Sequence, residues 1–305
     1  MRIVVIADPV DQIDVENDTT LALVRAARRR GHDVLGCQRH ELALRGGRAE
    51  ARVAPFGSTG CTARWLPLDE ADVVLFRTDP PVDRAYLDAT LILDRVDPSR
   101  TALVNDPRGI RIANEKLWAL AHPDLCPPTL VSADRELIAD FLAAHGRCVI
   151  KPIDGHAGRG VLRLDVGDPN RASIVEIATE RGTRAVVVQP WLDQVADGNK
   201  RIFVHGGHPV AATLRYPCTD DFRIGLPAEL VELTDRDREI CARLAPELVR
   251  LGLVLVGLDV IGDWLIEVNV TSSGALHKAD RLLGTSLCDD FIDLLETTNH
   301  QRRKP

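Results

Sequence analysis

Residues 257–273 read GLDVIGDWLIEVNVTSS, and this stretch decides the fold of the C-terminal part of the chain. Apolar residues alternate on both sides of the Gly-Asp pair at 262–263, which predicts an antiparallel hairpin with its turn there. Asp259, Glu267 and Asn269 interrupt the apolar pattern. Because side chains alternate with period two, Glu267 and Asn269 share one face of their strand, and Asp259 can lie on the same face of the partner strand. Three oxygen ligands would then converge.

These polar residues need an explanation because a carboxylate is costly to bury. Two carboxylates close together in an apolar sheet require either protonation or a cation. Mg²⁺ prefers carboxylate, amide and water oxygens and is commonly shared with substrate phosphates. We therefore predict a magnesium site at Asp259, Glu267 and Asn269, with Mn²⁺ as the alternative ion. From these residues alone a second interpretation stays open, in which the two carboxylates are solvated at a sheet edge and Asn269 caps a turn.

A glycine-rich stretch, VIKPIDGHAGRGVLRL at 149–164, places Lys151 at the end of an apolar strand and before Gly155, Gly158 and Gly160. Such glycines let backbone N–H groups approach phosphate oxygens, while a lysine supplies a point charge. The stretch is not a Walker A loop, since a strand and not a helix follows the glycines. Only five of the 38 basic residues are lysine, which favours a phosphate-binding loop over the alternative of an ordinary hairpin.

Two further segments carry weaker signals. Lys116 lies in IANEKLWAL at 112–120, where we expect a short helix and where a surface lysine is the alternative interpretation. The strand VVVQPWL ends in Gln189, expected to be exposed, and Pro190. A strand that breaks off in this way suits a hinge that offers backbone groups to an adenine ring.

Composition limits the classes of partner. A net charge of −7 without a basic tract argues against nucleic acid, so small molecules are the expected partners. Seven cysteines without a CxxC pair fit neither a disulfide framework nor a zinc site. The apolar run in MRIVVIADPV is too short for a signal peptide or a membrane span. We therefore expect a first β-strand there, a cytoplasmic location and no membrane partner.

The order of predicted elements changes near HPDLCPP at 122–128. Before it, strands alternate with helices, which predicts an open α/β sheet, and residues 40–66 are expected to form a hairpin or an irregular insertion. After it we expect strands, a capped helix over DRELIADFLAAHG, hairpins, a long helix over roughly 235–251 and a C-terminal helix near 284–296. A domain boundary is therefore predicted near residue 122.

Six short motifs occur in one collinear order: NEK, IKP with DGxxGxGV, QPWL, DGNKR, GLDVIG and IEVNVTS. In this order and spacing they resemble the ATP-grasp ligases, and within them the prokaryotic glutathione synthetase family. FRTDPP at 76–81 and the N-terminal IADP with NDTT are similar to that family's amino-terminal domain. The resemblance covers nearly the entire chain. It implies an α/β (α+β overall) fold with an open pre-ATP-grasp α/β domain followed by two ATP-grasp subdomains. The implied units are the N-terminal domain at 1–122, a central lid subdomain at 123–192 and a C-terminal subdomain with the metal site at 193–305.

The resemblance also implies an activity, that of an ATP-dependent carboxylate–amine ligase that works through an acylphosphate. In that family ATP lies between two antiparallel sheets, and the subunits are expected to form a homo-oligomer. The matching nucleotide residues are Lys116, Lys151, the lid glycines Gly155, Gly158 and Gly160, and the adenine-site residues Gln189, Pro190, Trp191 and Leu192; the metal ligands are Asp259, Glu267 and Asn269. The substrate residues are Arg77, Arg201, Arg215, Arg223 and Ser272, of which Arg201, Arg215 and Arg223 would also offset charge during the reaction.

The segment TDDFRIGLPAEL at 219–230 departs from the family pattern. After the arginine that matches Arg223, the family has a Gly/Ala-rich loop that begins Gly-Asn; here Ile224 or Gly225 takes the asparagine's place. Thr219, Asp220 and Asp221 replace a glycine pair, and acids beside the acceptor site disfavour a second carboxylate unless an arginine or a metal offsets them.

Four functions therefore stay open. The first is the glutathione reaction, which joins γ-glutamylcysteine to glycine, and the second is a divergent ligase for other amino acids or small peptides. The third is a catalytically silent ATP-binding protein. The fourth is a dehydrogenase-like binding module, suggested only by the N-terminal sheet, which lacks a glycine fingerprint after its first strand.

Overall fold

The structure, a computed structural model, describes residues 1–10, 18–58, 61–218, 221–284 and 286–302. Three β-sheets follow one another along the chain. Among the described residues, none of the helices has the length and hydrophobicity that crossing a lipid bilayer requires.

The first sheet has a parallel centre with strands in the order β2-β1-β6-β7. Its strands are β1 (Arg2–Ile6), β2 (Asp33–Cys37), β3 (Leu42–Arg45), β4 (Arg48–Pro55), β5 (Arg64–Pro67), β6 (Val73–Phe76) and β7 (Ala102–Val104), and its helices are α1 (Thr19–Arg29), α2 (Arg84–Leu93) and α3 (Pro107–Ile112). Asp18 caps α1 by accepting a hydrogen bond of 2.8 Å from the N–H of Leu21. The predicted open α/β sheet is confirmed. The hairpin expected within 40–66 is also confirmed, because β3, β4 and β5 pair antiparallel beside β2.

The second sheet is antiparallel, with the order β10-β9-β11-β8. It consists of β8 (Leu130–Ser132), β9 (Arg147–Pro152), β10 (Leu162–Asp165) and β11 (Val186–Pro190), with α4 (Arg135–His145) and α5 (Arg171–Ala178). The two helices bury Ile138, Leu142 and Val175 in one cluster with the sheet. The predicted capped helix is confirmed, since Asp134 accepts from the first N–H groups of α4.

The third sheet is also antiparallel, with the order β14-β13-β12-β15-β16. Its elements are β12 (Asn199–His205), β13 (His208–Cys218), β14 (Asp221–Leu230), α6 (Asp235–Arg250), β15 (Leu255–Ile261), β16 (Trp264–Asn269), α7 (Leu276–Leu283) and α8 (Leu287–Arg302). The predicted hairpin of residues 257–273 is confirmed, with its turn at 262–263. Strand β14 is an addition that the sequence pattern did not indicate.

The expected C-terminal helix near 284–296 is wrong in its start and its end. Gly284 has φ of 63° and ends α7, a helix that was not predicted, and α8 begins at Leu287 and runs to Arg302. Helix α8 lies against α1, where Arg29 reaches Asp289 at 2.9 Å and Arg30 pairs with Glu296 at 2.6 Å. These ion pairs join the C-terminal helix to the first helix of the chain.

Candidate active site

The acidic hairpin carries its polar side chains on one face. Asp259 on β15 lies directly opposite Glu267 on β16, and Gly257 lies opposite Asn269. Residues 257 and 259 are two positions apart, as are 267 and 269, so the three predicted metal ligands share a side of the sheet, as the period-two pattern required. The solvated-edge interpretation fails for Asp259, because β15 is an inner strand and the residue is only 6% exposed.

Asp259 is held by two arginines from neighbouring strands. Nε of Arg201 donates to Oδ1 and its Nη2 donates to Oδ2 at 3.0 Å, while Nη2 of Arg215 lies 2.7 Å from Oδ1. Burial by itself would raise the pKa of Asp259, but the two guanidinium groups more than offset that effect and hold the pKa well below its usual value. Asp259 is therefore an ionised carboxylate in a buried charge network.

Glu267 is held by two lysines instead. Its Oε1 lies 3.5 Å from Nζ of Lys116 and 3.6 Å from Nζ of Lys151, and Lys116 also donates to the carbonyl of Gly155. Both lysines are buried, and burial lowers the pKa of Lys151. The surface-lysine interpretation of Lys116 is therefore wrong. The expected helix around Lys116 is wrong too, because the residue lies in a turn between α3 and a 3₁₀ turn at Trp118–Ala121.

The balance of charge at this face favours an anion. Four cationic side chains face the carboxylates of Asp259 and Glu267, which leaves an excess of two positive charges. Counting Glu115 as ionised reduces the excess to one, although burial raises the pKa of Glu115. A concave site with an excess of buried cations suits a polyanion such as a triphosphate.

A cleft of about 850 Å³ opens from this face toward the second sheet. Six of the predicted nucleotide residues line it: Lys151, Gly158, Gln189, Pro190, Trp191 and Leu192. Asp259, Glu267, Arg215 and Arg223 line the same space. Gly155 borders a separate cavity with Glu115 and Thr271, and Gly160 has φ of 73°, as the glycine turn requires. The structure thus brings most of the predicted residues to one cleft between two antiparallel sheets.

Gln189 differs from the prediction that it is exposed. It is 4% exposed, and its Nε2 donates to Oγ1 of Thr129 at 2.9 Å. Gln189 lies on the inner strand β11, and residues 186–189 of this strand are all buried. Gln189 still contributes to the cleft wall.

Two predicted substrate residues make contacts elsewhere. Arg77 is buried, with Nε donating to Oγ1 of Thr20 at 3.2 Å and Nη2 donating to the carbonyl of Ser273 at 3.1 Å. Ser272 is half-buried. The serine that lies beside Arg201 is the next residue, Ser273, because a Cβ atom built on Gly257 would touch both Ser273 Oγ and Arg201 Nη1. Arg77 thus contacts α1 and the residue that follows Ser272.

The departing segment folds over the cleft. Arg223 pairs with Asp221 through Nε and Nη2, and its backbone N–H also bonds to that carboxylate at 2.9 Å. The charge of Asp221 is thereby offset by an arginine, and the pairing lowers the pKa of Asp221. Thr219 and Asp220 lie outside the described residues.

Two positioning residues were missed by the sequence reasoning. Asn105, after β7, donates from Nδ2 to the carbonyls of Leu255 (2.9 Å) and Val270 (2.6 Å), and its Oδ1 accepts from the N–H groups of Val254 and Leu255. Glu115 accepts at Oε1 from three donors of residues 270–271 at 2.8–3.0 Å. Together they fix the end of the acidic hairpin against the first sheet. The only sequence signal was the position of Glu115 beside Lys116.

The donor set fits a hard divalent cation. Asn269 donates from Nδ2 to the carbonyl of Gly257 at 3.2 Å, which fixes the amide so that its oxygen can serve as the ligand. Among the described residues, no group of three His, Cys, Asp or Glu side chains forms a metal cage. Two carboxylates and one amide instead suit an ion that completes its coordination with phosphate oxygens and water.

Comparison with known proteins agrees with the geometry. The structure of D-cycloserine synthetase DcsG superposes with a TM-score of 0.70 at 16% identity, covering 99% of this chain and 100% of that one. Residues 1–111 match the N-terminal domain of prokaryotic glutathione synthetase, and residues 115–284 match its ATP-grasp domain.

Relatives of similar length share much of the sequence. Glutathione synthetase of Gloeobacter violaceus is 43% identical over 313 residues, covering 97% of this chain and 96% of the relative. The glutathione synthetase of Synechococcus elongatus is 41% identical over 322 residues, covering 99% of this chain and 100% of the relative.

Fold, site and relatives define an ATP-grasp carbon–nitrogen ligase, an enzyme that forms an amide bond with ATP and a divalent metal ion. The chain belongs to the prokaryotic glutathione synthetase family. The dehydrogenase-like and catalytically silent interpretations are therefore wrong.

Proposed function

We propose that the cleft between the second and third sheets binds ATP, with its triphosphate at the lysines and its base at residues 189–192. The carrying observation is that Lys116 and Lys151 both lie within 3.6 Å of Glu267, at the point where the cleft meets the acidic hairpin. Two buried lysines and a carboxylate at one spot suit phosphates that share a metal ion with the protein.

The reaction follows from the poor electrophilicity of a carboxylate. Its oxygen attacks the γ-phosphorus of ATP, the bond to the bridging oxygen breaks, and ADP leaves an acylphosphate behind. An amine then attacks the acyl carbon, loses a proton and expels phosphate, which forms the amide. Arg201, Arg215 and Arg223 offset charge on the transferring phosphoryl group and on the tetrahedral centre. The glycine loop with Gly155, Gly158 and Gly160 excludes water from the acylphosphate.

The metal is proposed to be Mg²⁺, with Mn²⁺ as a substitute, held by Asp259, Glu267 and Asn269. When bound, the ion neutralises phosphate charge and orients the phosphate chain for in-line transfer. The protein's own part is to hold Asp259 ionised through Arg201 and Arg215 and to hold Glu267 at the open side of the network.

For the substrates, the relatives support γ-glutamylcysteine and glycine as the first pair to test. Arg77 and Ser272 would contact the acceptor peptide. A divergent ligase is the second candidate, and it is favoured by one specific observation: residues 221–230 form strand β14 at the point where the family has a Gly/Ala-rich loop.

The test is release of ADP and phosphate with Mg-ATP across a panel of carboxylates and amines, with the products identified by mass spectrometry. The panel contains γ-glutamylcysteine with glycine, the same peptide with other amines, and glycine with other carboxylates. Turnover with γ-glutamylcysteine and glycine supports the glutathione reaction. Turnover confined to other pairs overturns it and supports the divergent ligase.

The remaining proposals concern domain organisation, cellular location and self-association. We propose three units, 1–122, 123–192 and 193–305, each built around one sheet, which limited proteolysis can test. A cytoplasmic location is proposed because ATP is the substrate and the six cysteines whose side chains the structure describes are free thiols. Self-association, implied by the resemblance, is to be tested by light scattering.

A further inference from the structure

Residues 221–224 at the start of β14, here called the hairpin tip, contribute to the wall of the nucleotide cleft. Phe222 and Ile224 line the cleft together with Val149, Leu192 and Ile266. Phe222 also contacts Trp191, with ring centroids 5.5 Å apart and an interplanar angle of 68°. Both residues lie in the segment 219–230 that departs from the family pattern.

Trp191 gives the tip a fixed partner. The backbone N–H of Trp191 donates to the carbonyl of Arg147 at 2.9 Å, and the guanidinium of Arg163 lies 5.4 Å from the centroid of the Trp191 ring. The Arg163 guanidinium and the Phe222 ring thus both contact the ring of Trp191. The edge contact with Phe222 therefore places the hairpin tip at a defined distance from β11.

The charged residues of the hairpin tip pair with each other. Asp221 and Arg223 form an ion pair, and Phe222 and Ile224 present an aromatic ring and a branched aliphatic chain to the cleft, which Arg223 also lines. The stem of Arg223 lies against the glycine loop: a Cβ on Gly158 would come within 3.3 Å of Arg223 Cδ. Hairpin tip and glycine loop thus meet over the cleft.

We propose that Phe222 and Ile224 are base-binding residues, so that the start of β14 contacts the nucleotide base. This inference rests on the proposed function, because it takes the cleft to be the ATP site. The ligand group is a planar purine, whose faces gain from contact with aromatic and aliphatic side chains while its triphosphate is held at the far end by lysines. Phe222 and Ile224 then select for a base, while Arg201, Arg215 and Arg223 keep the roles proposed above.

The experiment measures binding of two probes, Mg-ADP and Mg-tripolyphosphate, by titration calorimetry. Tripolyphosphate carries the phosphate charge without the base. We expect Phe222→Ala to raise the Kd for Mg-ADP about tenfold, since stacking on one aromatic ring is typically worth this factor or more. The Kd for tripolyphosphate is expected to be unchanged. Phe222→Tyr keeps the ring and should restore wild-type affinity for Mg-ADP.

A matched control lies on the same hairpin. Tyr216 on β13 is 37% exposed and bonds to Glu229, so Tyr216→Ala removes an aromatic ring outside the cleft and should leave both dissociation constants unchanged. An unchanged Kd for Mg-ADP in Phe222→Ala would overturn the inference, as would equal weakening of both probes. Failure of the wild-type protein to bind either probe would instead overturn the proposed function.

Discussion

Asp259 and Glu267 lie opposite each other on adjacent strands, yet each is paired with a different kind of cation. Asp259 meets two arginines and is buried, whereas Glu267 meets two lysines and keeps 23% of its side chain exposed. The fork-shaped guanidinium groups fix Asp259 in place, while ammonium groups can turn from a carboxylate toward a phosphate. We infer that Asp259 contributes to folding as well as to metal binding, and that Glu267 contributes mainly to the ligand site.

Replacing Glu267 with Gln should lower turnover by about 100-fold or more with little effect on folding. The change removes a negatively charged metal ligand without altering volume. Steady-state ADP release and thermal unfolding, measured on the same preparation, check the two halves of the prediction. Wild-type activity in this variant would contradict the metal role of Glu267.

Replacing Asp259 with Asn should lower the free energy of unfolding by about 3 kcal/mol at pH 7, because it leaves two buried guanidinium groups without their carboxylate. Urea unfolding of both proteins measures the difference. A loss of activity without any loss of stability would show that the arginine network is not part of what holds the sheet together.

That stability difference should also depend on pH. The pKa of Asp259 is lowered in the folded protein, so its contribution is fully present above the unfolded pKa of about 4 and is lost as the pH falls through the folded value. The difference in the free energy of unfolding between wild type and Asp259→Asn should therefore be constant from pH 6 to 8 and should decrease below about pH 4. A difference in unfolding free energy that increases on acidification would contradict the lowered pKa of Asp259.

Replacing Lys151 with Met should weaken Mg-ADP binding by about 10- to 100-fold, since a charged hydrogen bond to phosphate is lost. Burial lowers the pKa of Lys151, so removing its charge should not destabilise the fold. Lys278→Met, on α7 outside the cleft, is the matched control and should bind as wild type. Equal Mg-ADP affinities of the two variants would show that Lys151 does not contact the phosphates.

Replacing Asn105 with Ala should destabilise the protein by about 3 kcal/mol, because four hydrogen bonds of a buried amide are lost and their backbone partners stay buried. The exposed Asn170, changed to Ala, is the control and should unfold as wild type. Chemical denaturation measures both. An effect no larger than that of Asn170→Ala would show that the hairpin is positioned by other contacts.

The acidic hairpin was predictable because a period of two is a local property, and Asp259, Glu267 and Asn269 obey it. Asn105 and Glu115 were not, since each acts on residues about 150 positions further along the chain. The burial of Gln189 depends on the neighbours that the fold brings to β11, such as Thr129, and no local pattern records these. Strand β14 escaped prediction because acids, glycine and proline interrupt its apolar alternation, and its place comes from pairing with β13 and from Phe222 against Trp191.

The central claim is that the face formed by Asp259 and Glu267 holds a metal-bound triphosphate. A crystal structure with Mg²⁺ and a non-hydrolysable ATP analogue measures this directly. We predict a magnesium ion about 2.1 Å from an oxygen of Glu267, shared with phosphate oxygens that contact Lys116 and Lys151. Phosphates and ion bound elsewhere, with both lysines still on Glu267, would contradict the account.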